Sequence, residues 1–135
     1  MRFDAQGNPV VKVVDYENAI RLADVGTSDA VRYGTNRYSH PERLKEGGVL
    51  TERSDLFASY MVVLEMRVGR NRLDRVIDKA IDEGSNQALK AAKQAKEASE
   101  AGGAEEKAFF RALYESQGPE PSFFVKALKD AGMVT

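Results

Sequence analysis

Residues 51–101 read TERSDLFASYMVVLEMRVGRNRLDRVIDKAIDEGSNQALKAAKQAKEASEA, and this stretch decides the fold. It contains no proline, and its only breakers are Gly69 and Gly84-Ser85-Asn86. Thr51 is a good helix N-cap. Glu52 and Asp55 place negative charge in the first turn, where the helix dipole favours it. Leu56 to Val68 is apolar nearly all round, which predicts a helix buried on several sides. Beyond it Leu73, Ile77, Ala80, Ile81, Ala88, Ala91, Ala92, Ala95 and Ala98 recur at spacings of three and four, a single stripe tapering from Leu and Ile to Ala. Arg70 with Asp74 and Arg75 with Asp78 are spaced for ion pairs along the outer side.

Length gives this stretch its meaning. At 1.5 Å per residue, Thr51 to Glu83 makes a rod of roughly 50 Å and Thr51 to Ala101 one of about 77 Å. A compact domain of 135 residues is only roughly 36 Å across. The helix therefore breaks at Gly69 or Gly84, or it protrudes and buries its stripe against another chain. A heptad seam through Leu56, Val63 and Ile77 is interrupted by Arg70, which favours bundle packing over a regular coiled coil.

The flanks are shorter. Arg2-Phe3 and Val10 to Val14 are β-prone around the turn formers Asp4 to Pro9, so a small hairpin is expected. Asp15 can cap a short helix ending at Gly26, and residues 27–48 read as loop with one or two helical turns. After Gly102-Gly103, Glu105 and Glu106 open a helix carrying Phe109, Phe110, Leu113 and Tyr114. Gly118-Pro119-Glu120-Pro121 stops it. Ser122 then caps a last helix with Phe124, Ala127, Leu128 and Ala131 on one face before Gly132. The expected fold is mainly α: an N-terminal arm (1–50), a long central helix (51–101) and a C-terminal helical hairpin (102–135).

Composition narrows the chemistry. With no Cys, thiolate zinc sites, disulfides and cysteine nucleophiles are excluded, and one His excludes a His-rich metal centre. No phosphate-binding glycine loop and no nucleophile elbow occurs. His40, beside Pro41, reads as an ordinary histidine with no partner motif. Asp74, Asp78 and Asp82 share a helix face that can in principle hold a divalent cation. Interleaved Arg75 and Lys79 make a solvated, salt-bridged face the better reading. No catalytic residue, metal ligand or cofactor is therefore assigned.

What is left is surface. Twenty Lys+Arg against 21 Asp+Glu give a net charge of -1, and 42% hydrophobic residues suit a soluble globular chain. The chain start lacks an apolar leader, and the longest apolar run, Tyr60 to Leu64, is far short of the ~18 residues of a membrane span. A place in the cytoplasm or inside an assembled particle is expected. Leu56, Tyr60, Val63, Leu73, Ile77, Ile81, Phe109, Phe110, Phe123 and Phe124 are the candidate partner-binding residues. Adjacent aromatics on a helix point about 100° apart, which leaves one of each pair facing outward.

Arg67, Arg70, Arg72 and Arg75 form a collar spread over roughly 220° of helix surface. Together with Arg37 in the Tyr/Arg loop 32–40 they are candidate phosphate contacts. In layout, a long charged helix followed by a small helical docking module, the chain resembles the helical scaffolding and head-completion proteins of bacteriophage particles. The reading is a non-enzymatic structural or assembly protein that self-associates or joins a larger particle through protein contacts. The alternative is a small nucleic-acid-associated regulator using the Arg collar and the Tyr/Arg loop.

Overall fold

The computed structural model describes residues 2–10, 35–45, 48, 50–115 and 118–134. They form a mainly helical protein with a small N-terminal hairpin, as the periodicity predicts. Strand β1 (Arg2–Phe3) pairs antiparallel with β2 (Pro9–Val10), with Arg2 opposite Val10 and Phe3 opposite Pro9. Asp4 shapes the connection: its Oδ1 accepts from the backbone N–H groups of Gln6 and Asn8, both at 2.9 Å. The short helix expected from Asp15 to Gly26 lies outside the described residues.

Among the described residues a 3-10 turn (Asn36–Tyr38) and six α-helices follow: α1 (Pro41–Leu44), α2 (Glu52–Val68), α3 (Arg70–Glu83), α4 (Gln87–Glu97), α5 (Ala104–Tyr114) and α6 (Phe123–Asp130). The sequence left one choice open, a broken helix or a protruding rod, and the chain takes the first. It breaks at both glycines, and among the described residues no helix exceeds 17 residues. Gly69 has φ +91°, a conformation costly to any residue with a Cβ. At Gly84 a Cβ would sit 2.7 Å from the carbonyl oxygen of Ala80, so the last turn of α3 can close only over glycine. The helix starts are capped locally. Ser54 Oγ accepts from the Thr51 N–H at 3.1 Å, Asn86 Oδ1 from Leu89 at 3.1 Å and Ser122 Oγ from Val125 at 3.3 Å.

Breaking the rod lets its parts bury one another. Met61 and Leu64 of α2, Leu73, Ile77 and Ile81 of α3, and Leu89 of α4 meet Phe109, Phe110, Leu113 and Tyr114 of α5 and Phe124, Ala127 and Leu128 of α6 in one core. The α4 and α5 pair is the most extensive helix contact, and α6 closes over α3 and α5. An aromatic chain runs through this core. Its ring centroids are 5.6 Å apart for His40–Phe57 and 5.1 Å for both Phe57–Tyr114 and Tyr114–Phe124. Edge-to-face packing of this kind adds roughly 0.5–1.5 kcal/mol per pair beyond area burial.

Candidate interaction surfaces

The candidate residues divide sharply between inside and outside. Leu73, Ile77 and Ile81 are buried in the chain's own core, as are Phe109, Phe110 and Phe124, while Phe123 is half-buried. They cannot meet a partner without opening the fold. The aromatic pairs therefore leave no fully outward ring, because α5 lies between α4 and α6 and both its Phe residues find neighbours. The heptad seam fails for the same reason. Leu56 and Val63 face out, whereas Ile77, beyond the Gly69 break, faces in.

Helix α2 is the exception to this inward order. Phe57, Met61, Leu64 and Val68, at spacings of four, three and four, pack inward against the core. On the far side Leu56 is 71% exposed, Tyr60 46%, Val62 45%, Val63 53% and Met66 80%. The expectation that this helix is buried on several sides is corrected: one side is buried and the opposite side, equally apolar, is bare. Together the five exposed side chains present on the order of 600 Å² of apolar surface, the upper end of what monomers carry.

Arg37 overturns a second expectation. It is no free phosphate contact: its Nε lies 2.6 Å from Glu65 Oε1 and its Nη2 2.6 Å from Asp74 Oδ1, with the side chain only 12% exposed. Burial works to lower the Arg37 pKa, and the hydrogen bonds to Asp74 and Glu65 outweigh it, so the net shift is upward. Burial likewise works to raise the Glu65 pKa, but the bonds from Arg37 and from the Tyr38 hydroxyl (2.8 Å) hold it below its ordinary value. Tyr114 completes the clamp. Its hydroxyl donates to the Arg37 carbonyl at 2.8 Å, and burial pushes its pKa strongly upward. The segment 35–44 is thereby fastened between α2, α3 and α5, with Asn36 also donating to Glu106 at 3.1 Å. The rest of the Tyr/Arg loop, 32–34, lies outside the described residues.

The remaining candidates resolve into ordinary structure or open surface. His40 is the N-cap of α1: its Nδ1 accepts from the Glu42 N–H at 3.2 Å. Burial chiefly lowers its pKa, and the nearby cations Arg53 and Lys45 add to that. Asp74 pairs with Arg37, not Arg70. Asp82 takes Lys93 at 3.0 Å, with Asp78 at 3.8 Å from the same ammonium. Among the described residues no three His, Asp or Glu are grouped to hold a metal.

Arg67, Arg70, Arg72 and Arg75 are all exposed, and among the described residues none of the four forms an ion pair. A cavity of about 110 Å³ lies among Arg37, Met61, Asp74, Lys96 and Phe109. The ammonium of Lys96 sits 4.3 Å from the Phe109 ring centre at this cavity. No described helix is long and apolar enough to cross a membrane. Compared with known proteins, the chain matches no family model, no curated protein and no solved structure.

Proposed function

We propose that this chain is a non-enzymatic assembly protein that works through protein–protein contacts, with the outer face of α2 as its contact surface. One observation carries the reading: Leu56, Tyr60, Val62, Val63 and Met66 lie exposed along a helix whose other side already builds the core. At about 25 cal/mol per Å², leaving that patch in water forgoes on the order of 10 kcal/mol. That is the scale needed to offset the entropy lost on association. The likeness to bacteriophage scaffolding proteins rested on one long helix. With that helix divided at Gly69 and Gly84, it adds no support.

The test is the size of the complex the full chain forms in extracts of its native cells, compared with that of Val63→Glu. A complex well above 14.9 kDa that is lost in the variant supports the reading. A wild-type chain that elutes as a free monomer overturns it. The exposed arginines, Arg67 on α2 and Arg70, Arg72 and Arg75 on α3, favour one second reading, nucleic-acid contact. A complex that collapses on nuclease treatment, with steeply salt-dependent binding to random duplex, would decide for it.

A further inference from the structure

We infer that the occupant of the exposed α2 face is a second copy of the same chain, lying antiparallel across it about a twofold axis near the level of Met61. This deepens the proposed function and rests on it. The ends of the face are oppositely charged. Glu52, Arg53 and Asp55 at the N-terminal end are all exposed and net -1, while Arg67 at the other end is exposed and +1. An antiparallel partner brings each acidic end to a basic one and opposes the two helix dipoles. A parallel partner would set Arg67 against its own copy.

The apolar positions are also matched about the same centre. Residues equidistant from Met61 are Leu56 with Met66 and Tyr60 with Val62, so four of the five exposed apolar side chains meet another apolar one across the axis, while Val63 meets Ser59. The area is sufficient. An apolar patch on the order of 600 Å² with its charged ends approaches the roughly 800 Å² per partner of a stable interface.

The purified full chain, which has no cysteine of its own, allows a direct test. By light scattering at about 10–100 μM the wild type is expected at twice 14.9 kDa. Val63→Glu, at a position already half exposed, should keep its helical circular dichroism. Its dimer should dissociate about 100-fold or more more readily, because symmetry places the charge in the interface twice. When Leu56→Cys and Met66→Cys chains are mixed under mild oxidation, the mixed disulfide should dominate. A wild type that stays at 14.9 kDa throughout overturns the dimer, and if the complex in cell extracts persists, the contact-surface reading survives it. Preferential Leu56→Cys homodisulfides would overturn the antiparallel arrangement.

Discussion

Arg37 bonds one guanidinium to carboxylates on two different helices, Glu65 on α2 and Asp74 on α3. Arg37→Ala leaves Glu65, only 14% exposed, without its cation. A fully buried broken pair costs about 3–5 kcal/mol, and the partial exposure of Asp74 reduces that here to about 2–3 kcal/mol by urea unfolding. The pair also has a pH signature. The folded pKa of Glu65 lies below the ordinary 4.5, so its stabilisation is complete above that value and is lost as pH falls through the folded pKa. Glu65→Gln should therefore be less stable than wild type at pH 7, with the gap closing as the solution is acidified below 4.5. His40 also loses its contribution on acidification, from 6.5 downward, because its folded pKa is depressed. That change is common to both proteins and cancels in the difference. None of this was legible in the sequence, where Arg37 sits in a polar loop 28 and 37 residues before its partners.

At the scale of elements, the breaks at Gly69 and Gly84 convert a rod into three helices that can stack. Nothing crowds a Cβ at Gly69, so its requirement for glycine is purely the φ of +91°. Gly69→Ala should cost about 1–3 kcal/mol, read as a lowered urea midpoint with an unchanged slope. The capping signals at Thr51 and Ser122 and the aromatic inner face of α5 were readable, because caps and periodicity are local properties of the chain; Asn86, which the sequence marks only as part of a break, proves to be the N-cap of α4. The two faces of α2 were not. Spacing shows that a helix is apolar on both sides, but only the positions of the short 3-10 turn Asn36–Tyr38, of α3 and of Tyr114 on α5 show which side is covered.

In the molecule as a whole, single-site changes can separate the folded core from the proposed contact surface. Ile77 is 6% exposed and Val63 is 53% exposed. Ile77→Asp buries an unpaired carboxylate and should unfold the chain, losing helical circular dichroism at 25 °C. Val63→Glu should keep the fold and change only the mass of the complex. From sequence alone both residues fell on the heptad seam that Arg70 interrupts, and both were candidate contact positions. The sequence by itself determined the helical segments, the caps at Thr51 and Ser122, the N-terminal hairpin, and the poverty of residues suited to nucleophilic or metal chemistry, because each follows from neighbours within a few residues. Only the tertiary structure decided which apolar face is core and which is surface, and that Arg37 is an internal clamp. Burial and ion pairing are settled by what lies beside a side chain in space, and folding the rod back at two glycines brought those neighbours from distant parts of the chain.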